Sequence, residues 1–474
     1  MTTSEKSSVE EKQPPLYLGG TNRVLSYGAG LRPDLDELLA GTPFVGYTYA
    51  YPHKTSYRPF PNPVPLADLW AGEERDALFL YIHVPFCEMR CGFCNLFTRA
   101  RPGQELPESY VQTLEAQAHR VDAALGERQF AHVAFGGGTP TQLSPDLLVR
   151  VLDVAEKMGA DLRALPVSVE TSPETATPER LRLLAERGVD RVSIGIQSFD
   201  DKELKALGRP QSIPEAEAAL DRIRESFPRL NIDLIYGVTG QSVESWLWSV
   251  ERALIWRPEE IYLYPLYLRP MTGLGKLGPA RQGLRILDQR SAQYRAARDF
   301  LLAAGYEQFS MRMFRLPTAS SENATNVYRC QEDGMVGLGC GARSYTRALH
   351  YSDEWAVGAA SVKNILAEWV ERPAESFDHA QHGVELDGEE QRRRYLLQSL
   401  LNTDGLELST WRQRFQTEVQ DDFPELRMLI ERDLAHQSND KILLTAAGLE
   451  RSDCIGPWLY SEDVLLRSQD FEVR

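Results

Sequence analysis

The stretch YIHVPFCEMRCGFCNLFT, Tyr81 to Thr98, sets Cys87, Cys91 and Cys94 in a C-x3-C-x2-C spacing. Half of the chain's six cysteines therefore fall within eight residues. Structural zinc takes four protein ligands, often as two separated pairs, and no convincing second pair accompanies this triplet. His83 lies four residues before Cys87, on an alternating run that turns its side chain into packing. A cubane [4Fe–4S] cluster usually takes four cysteines. Three thiolates would leave one iron open to a ligand that is not protein.

A second feature is FGGGTPT, Phe135 to Thr141. The glycines Gly136, Gly137 and Gly138 let the backbone approach a ligand and present its amides. By itself, such a run also reads as an ordinary flexible turn. A third feature is positional: Glu170 ends one strand-like run, Gln197 follows another and Asp233 lies within a third. Polar residues near the C-terminal ends of barrel strands converge on one mouth.

The elements that must position these groups begin at Leu78. Strands are expected over 78–84, 131–135, 166–170, 191–196, 230–236 and 260–268, where β-branched and aromatic residues cluster. Between them run amphipathic segments such as SPDLLVRVLDVAEKMG and SVESWLWSVERALIW, each with a serine placed to cap its first turn. Six β-then-α units predict an α/β fold with a parallel sheet and its helices outside. Six is short of eight, so an open, partial (βα)6 barrel is expected.

Residues 1–15 read as a disordered polar tail, and 16–75, rich in Pro, Tyr and Gly, as an irregular wrapping segment. The barrel and its extension are expected over 76–345, a linker over 346–382, and a small helical, winged-helix-like module over 383–474. The net charge of −16 gives nucleic acid little to bind. Arg392, Arg393 and Arg394 form the one basic run, read as a solvated helix face. No apolar stretch reaches the roughly 18–20 residues of a membrane span. The irregular cysteine spacing does not suggest a disulfide framework, so a cytoplasmic location is expected.

The cysteine spacing, with Phe93 just before the last cysteine, resembles the radical S-adenosylmethionine (SAM) superfamily. LYIHVPFCEMRCGFC, FGGGTPT, VSIGIQSF, NIDLIYG, GYEQF and GLGCGARS together resemble its oxygen-independent coproporphyrinogen III oxidase family. This resemblance spans about residues 76 to 346. It implies a [4Fe–4S] cluster on Cys87, Cys91 and Cys94, with SAM on the fourth iron. It further implies that Gly136, Gly137, Gly138 and Thr139 meet the amino-acid end of SAM. Glu170 and Arg209 would engage that same end, and Gln197 and Asp233 the ribose hydroxyls. Tyr81 would stand near the SAM sulfur. The implied reaction is reductive cleavage of SAM to a 5′-deoxyadenosyl radical that takes hydrogen from an organic substrate. An electron donor such as flavodoxin or ferredoxin is implied as partner.

One departure bears on the substrate. The oxidases of that family carry a further cysteine two residues after the last ligand, where this chain has Leu96. Relatives in haem trafficking, and those that methylate or cyclopropanate natural products, also lack it. A tetrapyrrole and a natural-product precursor are therefore both expected substrate classes, with a haem-binding or haem-delivery protein as the rival. A tRNA-modifying role fits poorly with the acidic balance. Cys330, Cys340 and Cys454 read as ordinary packing or surface residues, and Met311 and Met313 as core filling along one strand.

Overall fold

Strands form where the sequence alternates β-branched and aromatic residues, and the computed structural model arranges thirteen of them in one sheet. It describes residues 34–209, 211–277, 286–317 and 327–473; the expected tail over 1–15 lies outside them. In chain order the strands are β1 (Arg58–Pro65), β2 (Leu78–Val84), β3 (Phe130–Gly137), β4 (Val167–Thr171), β5 (Arg191–Gln197) and β6 (Arg229–Tyr236). Then come β7 (Glu260–Pro265), β8 (Glu307–Gln308), β9 (Met313–Arg315) and β10 (Met335–Leu338). The last three are β11 (Arg343–Tyr345), β12 (Leu349–Ser352) and β13 (His379–Glu385). They lie in the order β1-β13-β12-β11-β10-β2-β3-β4-β5-β6-β7-β9-β8.

From β2 to β7 every neighbouring pair is parallel, as six β-then-α units require. Parallel β10 extends this run beyond β2. The crossovers use helices α1 (Glu105–Leu125), α2 (Pro145–Lys157), α3 (Pro178–Glu186), α4 (Ile213–Ser226) and α5 (Val243–Ala253). The expected serine caps are present. Ser144 accepts from the Leu147 amide, and Ser242 forms a reciprocal capping box with Ser245. The outward faces of β2 to β7 and the inner faces of these helices share one apolar core. The barrel's polar residues are thereby left to its interior.

Three expectations need correction. The segment 16–75 is not irregular throughout: it carries helices Leu35–Ala40 and Leu66–Ala71 and the strand β1. β1 holds four prolines and lies at the sheet's edge, where a missing N–H leaves no central ladder broken. The segment 346–382 is not a linker either, since β12 and helix Ala359–Val370 lie within it and β13 begins there. Finally, Arg393 and Arg394 are 4% and 7% exposed rather than solvated. Arg393 donates to the Leu459 carbonyl and Arg394 to those of Cys330 and Gln331, so backbone acceptors replace water. Met311 is buried just outside β9, and Met313 opens that strand half-buried.

The C-terminal helices and a three-stranded sheet of Leu406–Glu407, Lys441–Leu444 and Ala435–Ser438 enclose a second core. Leu35, Leu38 and Tyr51 from the N-terminal segment enter it. Between this module and the barrel stands a buried ion pair, Arg312 Nη2 to Asp453 Oδ2 at 2.6 Å. Tyr267 donates to Asp453 and accepts from Arg312. Removing one partner strands the other charge in low dielectric. Asp453→Ala should therefore cost about 3–5 kcal/mol in chemical denaturation; a loss below about 1 kcal/mol would mean that water screens the pair.

Candidate active site

The three cysteines sit on a loop that other segments hold in shape. Phe86–Cys87 pairs in parallel with Arg99–Ala100, closing the loop at its base. At its far side the Gly92 amide donates to the Leu207 carbonyl at 3.0 Å, and the Leu274 amide donates to the Gly92 carbonyl at 2.8 Å. A Cβ on Gly92 would lie 2.8 Å from the Leu207 oxygen, so only glycine permits this approach. Cys87, Cys91 and Cys94 are free, partly buried thiols facing one cavity. Burial pushes the Cys87 thiol up to about 12, with the Cys94 charge adding to it. Burial and then the Cys91 charge raise Cys94 as well. Thr139 donates to the Cys87 sulfur at 3.8 Å, and Arg209 Nη1 to the Cys91 sulfur at 3.1 Å.

Opposite the loop, the glycine turn is set by close packing. A Cβ on Gly136 would lie 2.8 Å from Glu170 Oε1, one on Gly137 2.3 Å from His83 Cε1, and one on Gly138 2.6 Å from the Phe86 oxygen. The space freed by all three glycines is thus taken by this chain's own atoms. Gly137, Gly138 and Thr139 still line the cavity; Gly136 is not among its lining residues. The Gly137 amide donates to Glu170 Oε2 at 3.0 Å. Glu170 is an exposed residue that lines the cavity, and partial loss of water there moves its carboxyl from 4.5 up to about 7 against the pull of the Gly137 amide. Asp233, on β6, is likewise raised by burial to about 6, though Asn231 donates to it at 2.8 Å.

Gln197 reaches the cavity through a backbone irregularity. The β5–β6 register slips between Gly195 and Gln197, and Gln197 has φ +71°. A bulge at a strand end re-aims a side chain, and a left-handed non-glycine residue marks a position that its surroundings over-determine. A Cβ on Gly195 would lie 2.5 Å from Gln197 Nε2, so that glycine makes room for the amide. Arg209 donates through Nη2 to the Gly195 carbonyl and through Nε to Gln211 Oε1, at 2.6 and 2.7 Å. Gln211 in turn donates to the Ile196 carbonyl at 2.7 Å. Cys87, Cys91, Cys94, Gly137, Gly138, Thr139, Glu170, Gln197, Arg209 and Asp233 all line this one cavity.

Tyr81 does not line it. Its ring packs by Ala50, Met335 and Tyr345 on the barrel's inner side, with its hydroxyl 3.2 Å from His83 Nδ1.

The radical SAM superfamily model matches residues 81–253, and the HemN C-terminal domain model residues 386–450. A heme chaperone HemW of Bacillus subtilis is 27% identical over 379 residues, covering 78% of this chain and 95% of that protein. An oxygen-independent coproporphyrinogen III oxidase of Bradyrhizobium diazoefficiens is 29% identical over 336 residues, covering 65% and 73%. The solved coproporphyrinogen III oxidase HemN of Escherichia coli superposes with a TM-score of 0.71 at 23% identity, covering 90% of this chain and 99% of that one. The chain belongs to the radical SAM superfamily, in its oxygen-independent coproporphyrinogen III oxidase-like family.

Membership brings a [4Fe–4S] cluster and SAM as cofactors, and the donor set fits both. Three thiols confined in one cavity ionise together only beside a positive group such as iron. Two carboxyl groups, an amide and a guanidinium on the facing wall suit the polar ends of SAM. The radical SAM site also uses residues that motif reading passed over. Gly92, Gly195 and Gln211 act through close approach or by holding Arg209; Gly92 and Gly195 lie inside quoted motifs, whereas Gln211 carried no local signal.

The radical SAM barrel's interior continues beyond Tyr81 into a lumen of cations and phenols. Arg343 stacks over Tyr49 at 4.7 Å, and its Nη1 is buried with no hydrogen-bond partner among the described residues. Lys54 Nζ stands 3.8 Å above the Trp355 ring, and Arg269 lies over Tyr267 at 4.8 Å. The groups that act most strongly on Lys54 are Tyr49, Arg343 and Arg269, and on Arg343 they are the phenols Tyr345, Tyr49 and Tyr57. Burial, joined by the Arg343 and Arg269 charges, brings the Lys54 ammonium down to about 8. Burial favours the neutral Tyr49 phenol, yet the Arg343 and Lys54 charges reverse it and leave its pKa lowered. These cations lie at positions 54, 269 and 343, and although Arg343 falls inside GLGCGARS, nothing in the sequence grouped the three.

Two outcomes are expected here. Replacing Cys87, Cys91 and Cys94 together by serine should leave the fold intact, by circular dichroism and gel filtration, but abolish iron and sulfide binding on reconstitution. Iron and sulfide at wild-type levels in that variant would refute the cluster site. For Glu170, the folded chain holds its proton more firmly than the unfolded chain between 4.5 and about 7. Stability of the cofactor-free protein should therefore fall as pH rises through that window and level off above it. Glu170→Gln, which mimics the protonated acid, should gain on the wild type across about pH 5 to 7 in urea midpoints. A difference that stays constant with pH would place the Glu170 pKa near its ordinary value.

Proposed function

We propose that this chain is a radical SAM enzyme that abstracts hydrogen from a carboxylate-bearing organic substrate, best met by a porphyrinogen. The observation that carries the reading is the lumen beside Tyr81. Lys54 and Arg343, whose strongest neighbours are phenols and cations rather than carboxylates, in a chain of net charge −16, match an anionic ligand, with Arg269 partly offset by Asp453, and the surrounding phenols and Trp355 match a large macrocyclic one.

In this reading Cys87, Cys91 and Cys94 hold the cluster. Glu170 accepts from the amino group of SAM and Arg209 donates to its carboxylate, while Gln197 and Asp233 engage the ribose. Gly137, Gly138 and Thr139 shape the wall against which the amino-acid end lies. When bound there, a [4Fe–4S] cluster and SAM would supply reductive cleavage of SAM as the source of a 5′-deoxyadenosyl radical. Lys54, Arg343 and Arg269 hold the substrate's carboxylates, so that one C–H bond faces the SAM side of Tyr81. The tyrosine-rich walls exclude water from that meeting point. The electron donor is a flavodoxin or ferredoxin.

A second reading is favoured by a specific observation. The alignment with the Bacillus subtilis heme chaperone HemW runs over 95% of that protein, and Leu96, 48% exposed, lines the cavity beside the cluster loop. Under it, the same lumen holds haem by its propionates, without turnover.

The test is 5′-deoxyadenosine formation by anaerobically purified, reconstituted protein given SAM and dithionite, with coproporphyrinogen III and with haem. Formation that rises with coproporphyrinogen III and is absent in the serine triple variant supports the enzyme. Tight haem binding with no 5′-deoxyadenosine refutes it in favour of the chaperone. Arg343→Met should raise KM for the porphyrinogen about tenfold, as expected for a lost charge-assisted bond. It should leave substrate-free SAM cleavage within about twofold.

A further inference from the structure

Of the segment GLGCGARS, Gly337 to Ser344, the reading above uses only Arg343, yet its glycines and those of FGGG meet at one side chain. A Cβ on Gly137 would lie 2.3 Å from His83 Cε1, and one on Gly341 3.0 Å from His83 Nε2. A Cβ on Gly339 would lie 2.5 Å from the His83 carbonyl oxygen. Two segments some 200 residues apart are therefore glycine where they enclose one imidazole. The His83 ring is 6% exposed, and its two nitrogens have different partners. Nε2 lies 3.2 Å from the Phe97 carbonyl oxygen, and Nδ1 lies 3.2 Å from the Tyr81 hydroxyl.

The chemistry of these partners fixes the proton. A carbonyl oxygen only accepts, so Nε2 must carry the hydrogen. A neutral ring then leaves Nδ1 bare, and the Tyr81 hydroxyl must donate to it. Burial keeps the ring neutral at physiological pH, bringing its pKa down to about 4 against the pull of the Phe97 carbonyl.

We propose that His83 is a positioning residue, locked as the Nε2–H tautomer, that commits the Tyr81 proton away from the lumen and ties Tyr81 to the cluster loop. Tyr81 then presents only oxygen lone pairs to whatever meets it. It fits an N–H donor or a positive centre, such as a pyrrole or the SAM sulfonium, and disfavours a carboxylate. The Phe97 bond reaches the loop three residues past Cys94, so Tyr81 and the cluster site are fixed relative to each other through one ring. The inference rests on the proposed function only for the group that Tyr81 meets.

The first test is nitrogen NMR of the full-length chain labelled with 15N-histidine, the His83 signals being assigned by their loss in His83→Gln. We expect an unprotonated Nδ1 and a protonated Nε2, unchanged between about pH 6 and 8, with the Nδ1 signal moving in Tyr81→Phe. A proton on Nδ1, or titration within that range, overturns the proposal. The second test is a double-mutant cycle. In His83→Gln the amide can still reach the Phe97 carbonyl while nothing stands in the place of Nδ1. That variant should keep wild-type iron and sulfide yet lose about tenfold in SAM cleavage, as Tyr81→Phe does. The double variant should be no slower than Tyr81→Phe alone. Losses that multiply would show that His83 acts independently of Tyr81 and overturn the positioning role. If the wild type cleaved no SAM at all, the proposed function would fall while the tautomer measurement still decided this one.

Discussion

Three thiols held within eight residues oppose one another's ionisation, and the architecture around them is built on that conflict. Burial and neighbouring thiolates push Cys87 and Cys94 upward, so ionising the three thiols together would drive the loop apart. What prevents it is backbone. The Gly92 amide and carbonyl are bonded to Leu207 and Leu274, and Phe86–Cys87 is paired with Arg99–Ala100. A loop preformed in this way binds a metal cluster without first paying its ordering entropy. The helix that precedes Leu207 and the turn at Leu274 belong to different crossovers, so the barrel must close before the loop can be right.

The interior of that barrel is the wrong place for a stabilising core. Glu170 and Asp233 are raised toward neutrality, and Arg191 reaches Glu260 at 2.5 Å, since enclosed charges survive only paired or protonated. Cohesion has to come from outside the lumen. The outward residues of β2 to β7 supply it against α1 to α5, and the second core adds more by drawing Leu35, Leu38 and Tyr51 into the C-terminal module. The N-terminal chain is thereby stretched across the lumen between two cores. That is why Tyr49 and Lys54 can stand beside it.

This division explains what could be read in advance. The six barrel strands were legible because an element buried on its outer face repeats apolar residues in short runs, and the observed β2 matches 78–84 residue for residue. Glu170 and Gln197 were legible as polar residues at strand ends, and Asp233 as one within a strand. The φ of Gln197 was not, because a bulge is a property of the pairing between two strands. Arg393 and Arg394 misled because three arginines on a helix normally meet water, and only the folded chain brings the carbonyls of Cys330, Gln331 and Leu459 to them. Four prolines in β1 argued against a strand until the sheet's edge was known. The lumen cations share no local pattern, since the barrel assembles them from both ends of the chain.

Binding and reaction are assigned to different residues in this arrangement. In the proposed reading, the cations at Lys54, Arg269 and Arg343 would recognise carboxylates wherever a ligand carries them, and a porphyrinogen and a haem would satisfy them alike. Selection of chemistry would then lie nearer the cluster, on the side where Tyr81 stands. If its proton is held by His83, its oxygen repels a carboxylate and accepts a donor, so a ligand's acidic groups are turned toward the cations and its carbon skeleton toward the cluster. The glycines of FGGG and GLGCG make that orientation possible by leaving one imidazole no room to rotate. A fold in which affinity is set by distant charges and orientation by a single rigid hydrogen bond can change substrates at the lumen while conserving the geometry of attack.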